Sequence, residues 1–205
     1  MIKTILWDFD GVILDSIRIK GDGFMELFQN HNIADVQILE QYHYANGGVS
    51  RFEKIKYFYN QILNKDISED EILKLAGVFS NIIETKIFDK TNLIEDSLSF
   101  IKKNYLKYNF HIVSGAEHNE LNSLCKHFII DKYFISILGS PITKNTLVKN
   151  IISDYEYNND QVILIGDSKT DYVAAKKNKI IFYGYNNTEL KKFGNYIEKF
   201  QYMNL

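Results

Sequence analysis

The chain has 205 residues, of which 45% are hydrophobic and 24% charged. That is the balance of one ordinary globular domain with room for a modest insert, and 14 Tyr, 14 Phe and one Trp exclude a disordered chain. A net charge of -2 excludes a basic surface spread over the whole molecule, so no nucleic-acid partner is expected.

Ile2 to Trp7 is an apolar run of β formers that stops at Asp8-Phe9-Asp10-Gly11, the pattern of a buried strand entering a polar turn. Ser16 to about Asn30 reads as a helix capped by Asp15 or Ser16, with Ile17, Phe24, Leu27 and Phe28 on one face. Val36 to Tyr44 is a second, short helix. Asn46-Gly47-Gly48-Val49-Ser50 breaks the chain. Ser50 and Glu53 form a capping-box pair that opens a helix over Phe52 to Leu63. Ser68 and Glu71 repeat that signature before a long helix to about Ile87.

Beyond Asp89 the pattern alternates. Helices are expected at Asn92–Asn104, Glu117–Lys126, Lys144–Ser153 and Thr170–Lys177, and strands at Phe110–Val113, Phe134–Leu138, Val162–Ile165 and Ile180–Tyr183. Such alternation predicts an α/β fold, a doubly wound, Rossmann-like parallel sheet covered on both faces. The all-α block after the first strand reads as an insert, which divides the chain into a core at 1–15 and 89–205 and a helical insert at 16–88. Cys125, the single cysteine, forms no internal disulfide, suits a reducing compartment and packs within a helix. No apolar run approaches the ~20 residues of a membrane span, and Asp8 arrives too early for a signal peptide. The expectation is a cytoplasmic protein, monomer or weak homodimer, with no membrane partner.

Polar residues recur where the strands end. Asp8 and Asp10 follow the first strand, Ser114 the second, Lys144 the third, and Asp167 and Asp171 the fourth. Open α/β sheets bind ligands outside these carboxyl ends. Aspartates gathered without histidine or cysteine suit a hard cation such as Mg²⁺, which offsets repulsion among carboxylates and phosphate oxygens. One aspartate can then attack phosphorus, a second can protonate the leaving oxygen and activate water, and serine and lysine can hold the non-bridging oxygens. Simpler readings exist beside these. Ser114 or Asp171 can cap or charge a helix N-terminus, and Lys149 competes with Lys144.

Asp8-Phe9-Asp10-Gly11-Val12-Ile13-Leu14-Asp15-Ser16 resembles the first motif of the haloacid dehalogenase-like superfamily in its phosphatase form. Ile112-Val113-Ser114-Gly115 is similar to the second motif, and Lys144 is placed like the third. Ile163-Leu164-Ile165-Gly166-Asp167-Ser168-Lys169-Thr170-Asp171 is similar to the fourth. The resemblance implies that Asp8 is the nucleophile and also a metal ligand. It makes Asp10 the general acid/base and a metal ligand through its backbone carbonyl, Asp167 a further Mg²⁺ ligand, and Asp171 either a ligand or a support behind the ligands. It places Ser114, Gly115, Lys144 and the backbone of Phe9 and Asp10 around the phosphoryl group. An aspartate at position 10 departs from the dehalogenating relatives. Among lysines of the insert, Lys54 and Lys56 stay open for the Schiff-base role of the phosphonate-cleaving relatives, although neither stands out.

The insert at 16–88 resembles the family's small all-α cap domain, and Asn46-Gly47-Gly48-Val49-Ser50-Arg51 resembles the cap's substrate-specificity loop in the β-phosphoglucomutase-like branch. There the two glycines would let the backbone approach a ligand, and Arg51 would reach its polar part. Alternatively Arg51 pairs with Glu53 or Asp70. His118 is placed to line the pocket or to be structural. The implied activity is Mg²⁺-dependent hydrolysis of a small phosphorylated metabolite, a sugar phosphate or a small polyol or amino-alcohol phosphate, through an aspartyl-phosphate. The alternatives are a phosphomutase using the same intermediate and a non-catalytic binding protein.

Overall fold

A computed structural model describes residues 1–203. Six parallel strands run in the order β3-β2-β1-β4-β5-β6, with β1 at Thr4–Trp7, β2 at Asn109–Glu117, β3 at Ser136–Ser140, β4 at Val162–Gly166, β5 at Ile181–Tyr185 and β6 at Asn195–Ile197. β1 lies at the centre, and every residue in it is buried. Ile5 and Trp7 pack into one apolar cluster and Leu6 into another, as a period of two requires of a strand covered on both faces.

The chain leaves β1, builds β2 and β3 on one side, and crosses back to β4 on the other. The switch in strand order therefore falls at β1 and β4. Residues following those two strands meet at the crevice where such sheets bind ligands. Register enforces the meeting. Trp7 pairs with Ile112 on β2 and with Ile165 on β4, and the Asp8 N–H donates to the Ile165 carbonyl at 2.9 Å.

Between β1 and β2 come α1 (Ile17–Leu27), α2 (Ile33–Ala45), α3 (Arg51–Tyr57), α4 (Glu69–Ile87) and α5 (Glu95–Asn104). α4 begins at the Ser68–Glu71 capping box and buries Ile72, Ala76, Phe79, Ile83 and Ile87 along one stripe. α3 runs into a π-turn at Phe58–Ile62, so the helix expected over Phe52–Leu63 changes its winding there. The chain enters and leaves this block through one narrow neck. Leu14 bridges Leu93 antiparallel, the Asp15 N–H donates to the Asn92 carbonyl at 2.8 Å, and the Ile94 N–H donates to the Ile13 carbonyl at 2.9 Å.

The remaining helices are α6 (His118–His127), α7 (Lys144–Asp154) and α8 (Lys169–Lys177). β2 runs four residues past the expected end at Val113, because its edge keeps pairing with β3 through a bulge as far as Glu117–Ser140. β6 has no counterpart in the sequence reading. It is three residues of ordinary polarity, held by β5 and not by a pattern of its own. No helix among the described residues is long and apolar enough to cross a membrane.

Candidate active site

Asp8, Asp167 and Asp171 converge at the switch point. Each offers a carboxylate oxygen within 4.8 Å of the others, and all three side chains are buried. Asp8 leaves the end of β1 where the turn tightens, with the Phe9 carbonyl accepting from the Ile13 and Leu14 N–H groups. Gly11 in that turn has φ +74°, and a Cβ on it would lie 2.0 Å from Asp167 Oδ2. The turn and the fourth aspartate stretch thus approach more closely than any side chain at position 11 permits.

Lys144, the first residue of α7, reaches into the cluster. Its Nζ is 2.8 Å from Asp8 Oδ1 and also bonds Asp171 Oδ1. Burial opposes its charge, but Asp171 and Asp8 outweigh that and raise its pKa. Lys149 is exposed on the outer side of the same helix, so Lys144 is the lysine at the cluster. Asp171 has two tasks at once. Its Oδ2 accepts from the Ser168 N–H at 3.1 Å and from the Ser168 hydroxyl at 2.5 Å, closing the start of α8, while Oδ1 faces Lys144.

Carboxylate charge is crowded here. Burial, then the Asp171 charge, push the Asp8 carboxyl up to about 7 against the opposing pull of Lys144. Burial, then Asp8 and Asp171, hold Asp167 well above the carboxylate range. Three clustered carboxylate oxygen donors fit a hard divalent ion such as Mg²⁺, which would offset the repulsion among them. The Asp10 side chain stands outside this trio. Its carboxylate takes the Ser16 hydroxyl at 2.5 Å and the Lys20 ammonium at 2.5 Å. Burial works against its charge, yet Lys20 and Ser16 prevail, and its pKa is lowered.

Several residues take partners other than those expected. Ser114 is fully buried and accepts the Ala116 N–H at 3.1 Å, while α6 is capped by Glu117, whose carboxylate takes the Asn119 and Glu120 N–H groups. Ser114 is therefore no helix cap. The Phe9 N–H donates to the Asp8 carboxylate at 2.7 Å. Gly48 does approach another backbone, but that of the core. A Cβ on Gly115 would lie 2.5 Å from the Gly48 carbonyl, and one on Gly48 would lie 1.9 Å from Thr170 Oγ1. Gly47 has no such close neighbour, its nearest being Ser168 Cβ at 3.9 Å.

Arg51 pairs with neither Glu53 nor Asp70. Its guanidinium forks onto Glu120 of α6, donates to Ser80 Oγ at 2.6 Å and lies over the Phe79 ring. His118 is exposed, and its Nδ1 accepts the Gly139 N–H at 3.3 Å. Sequence offers Ser16 as a helix cap and His43 as a structural residue and does not single out Lys20 or Glu120, yet these four surround Asp10 and Arg51. A signal existed for Lys20. It falls on the apolar stripe of α1 between Ile17 and Phe24, where a lysine has no packing reason to be.

Two clefts flank the cluster where the helical block meets the core. One, of about 470 Å³, runs past Gly48, Ser140 and Lys144. The other, of about 530 Å³, runs past Gly47, Asp167 and Asn187.

A family model described as "Haloacid dehalogenase-like hydrolase" matches residues 5–185. The chain belongs to that family. Its members are enzymes, and the parallel sheet with flanking helices is theirs. Over 207 aligned positions the chain is 21% identical to a phosphoglycolate phosphatase of Vibrio parahaemolyticus, spanning 92% of this chain and 87% of that one. A β-phosphoglucomutase from Clostridium difficile superposes with a TM-score of 0.79 at 19% identity, over 100% of this chain and 94% of the other. A putative haloacid dehalogenase-like hydrolase from Bacteroides fragilis gives 0.79 at 17% identity, over 99% and 100%. At those identities the two structures speak for the fold alone.

Proposed function

We propose that this protein is a Mg²⁺-dependent phosphatase that hydrolyses the phosphomonoester of a small metabolite through an aspartyl-phosphate on Asp8. The observation that carries the reading is the meeting of Asp8, Asp167 and Asp171 around Lys144 at the switch point of the sheet. Asp8, Asp167 and Asp171, with the Asp10 carbonyl, would hold the Mg²⁺, which when bound offsets the charge of the carboxylates and of the phosphoryl oxygens.

The side chains divide the remaining work. Lys144 holds Asp8 Oδ1 in place and supplies positive charge beside the transferring phosphoryl group. Ser114, Gly115 and the Phe9 N–H lie at the same sheet edge and would meet the non-bridging oxygens once substrate displaces present partners. An Asp8 oxygen attacks phosphorus, the bond to the alcohol oxygen breaks, and that oxygen takes a proton from Asp10. Asp10 then removes a proton from water as the water oxygen attacks phosphorus, and Asp8 leaves as carboxylate. Ser16 and Lys20 favour the ionised Asp10 that the second half-reaction needs, so for the first half-reaction Asp10 takes up a proton from solvent before the alcohol oxygen leaves.

The block at 16–88 acts as the cap, closing over the sheet edge at Gly48 and Gly115 and excluding water while the acyl phosphate exists. Such a closed site suits a small molecule and no macromolecular partner. Product analysis with Mg²⁺ and a panel of phosphate esters tests the reading. Inorganic phosphate released in step with the alcohol supports hydrolysis, whereas phosphate retained on an isomerised sugar identifies a mutase. Asp8→Asn should cut turnover by about 10³-fold or more with the fold intact; substantial residual turnover removes Asp8 from the nucleophile's role.

A further inference from the structure

A smaller space lies between the helical block and the core, beside Asp10. Its volume of about 20 Å³ has room for one or two water-sized groups. Asp10, Lys20, His43, Arg51 and Lys54 supply its polar lining.

The charges around it do not cancel. Lys20 is neutralised by Asp10 at 2.5 Å, and Arg51 by the forked contact with Glu120. Lys54 is 2% exposed and, among the described residues, forms no ion pair. Its ammonium has one hydrogen-bond partner, His43 Nδ1 at 3.0 Å, and otherwise lies over the Phe24 ring at 6.0 Å from the centroid. His43 offers no negative charge. Its Nε2 faces the Ile17 carbonyl at 2.9 Å and so must carry the ring proton, which leaves Nδ1 as an acceptor for the Lys54 ammonium. Burial, then the Lys54 charge, hold His43 down at about 3. An ammonium has three donors, so two on Lys54 are left for the cavity. Burial, then the Lys20 charge, push the Lys54 ammonium down to about 7, as expected of a cation with no counter-ion.

A buried cation left unpaired is costly, and an anion delivered by a ligand removes the cost. We propose that Lys54 is a specificity-determining residue that binds a carboxylate on the alcohol portion of the substrate, so that short phosphorylated hydroxy acids are preferred. The two acceptor oxygens of a carboxylate match the two free donors of the Lys54 ammonium. A substrate with an ammonium in that position would meet like charge, which argues against amino-alcohol phosphates. The inference rests on the phosphatase reading above.

The test compares kcat/KM for 2-phosphoglycolate, 2-hydroxyethyl phosphate and p-nitrophenyl phosphate with Mg²⁺ present. The wild-type protein should prefer 2-phosphoglycolate over 2-hydroxyethyl phosphate by tenfold or more. Lys54→Met should shrink that ratio at least tenfold, chiefly through KM, and Lys54→Arg should retain part of it. A wild-type ratio near one, or a ratio unmoved by Lys54→Met, overturns the assignment, and the wild-type comparison needs no variant to fold. Failure to hydrolyse any of the three esters would instead sink the phosphatase reading. Calorimetric titration of the first two esters into the Asp8→Asn protein reads the same preference without turnover, and equal affinities there overturn the role of Lys54.

Discussion

Arg51 fastens the helical block to the core, and cutting that tie has a calculable cost. The Arg51 and Glu120 side chains are only 4% and 9% exposed. Nη1 donates to Oε2 at 2.9 Å and Nη2 to Oε1, so the pair is forked and nearly dry. Arg51→Met leaves Glu120 buried with only the Ser80 hydroxyl, at 3.1 Å, as a side-chain partner. Removing one member of a buried pair costs about 3–5 kcal/mol. For a chain of this length each kcal/mol is worth about 2–4 °C in Tm, so the variant should melt roughly 6–20 °C lower. The double variant Arg51→Met/Glu120→Leu should recover most of the loss, because no uncompensated charge remains. Thermal unfolding at pH 7, followed by far-UV circular dichroism, reads both. A drop below about 2 °C for the single variant, or a double variant no more stable than the single, would refute the buried pairing.

Other expectations follow from the same coordinates. EDTA should silence turnover and Mg²⁺ restore it. At a hundred times its Kd, Mg²⁺ should also stabilise the fold by about 2.7 kcal/mol, and a melting curve unmoved by Mg²⁺ would count against the three-carboxylate site. Gly11→Ala puts a methyl where Asp167 Oδ2 now sits and should weaken Mg²⁺ binding and activity by about 10–100-fold; unaltered Mg²⁺ titration refutes that close approach. His111 is fully buried between Ser136 Oγ at 2.7 Å and Tyr157 OH at 3.0 Å, and burial lowers its pKa from 6.5 to about 4. The unfolded chain therefore binds the proton first, and stability present above pH 6.5 is lost as the pH falls toward 4, by at most about 3 kcal/mol. Urea unfolding at pH 7 and pH 5 should show a smaller drop for His111→Asn than for wild type; equal drops exclude His111 as the source.

The central strands and most helices were legible because their signals are local. β1 is apolar from Ile5 to Trp7 and ends at Asp8, and α4 announces its start with Ser68 and Glu71. The aspartates were legible because a doubly wound sheet brings strand ends to one edge whatever the details between them. β6 was not, since three residues owe their strand to β5. The bulged extension of β2 was hidden for a similar reason, as its last pair is made by Ser140 on another strand. Partners distant in the chain were the least legible part. Nothing local distinguishes Glu120 from Glu53 as the mate of Arg51, because the choice depends on how α3 settles against α6. The diversion of the Ser16 hydroxyl from helix capping to Asp10 likewise depends on the turn after β1.

The narrow neck at Leu14 and Leu93 has an architectural consequence. Joining two points already held side by side carries an entropic penalty that grows only with the logarithm of the intervening length. Chain closure therefore sets little limit on what is strung between Asp15 and Asn92. A shorter, longer or differently folded segment could be spliced there while Thr4–Trp7 kept its register with both neighbours. The carboxylates at the ends of β1 and β4 would keep their places through such an exchange, because the register of those strands does not depend on the length of the inserted piece.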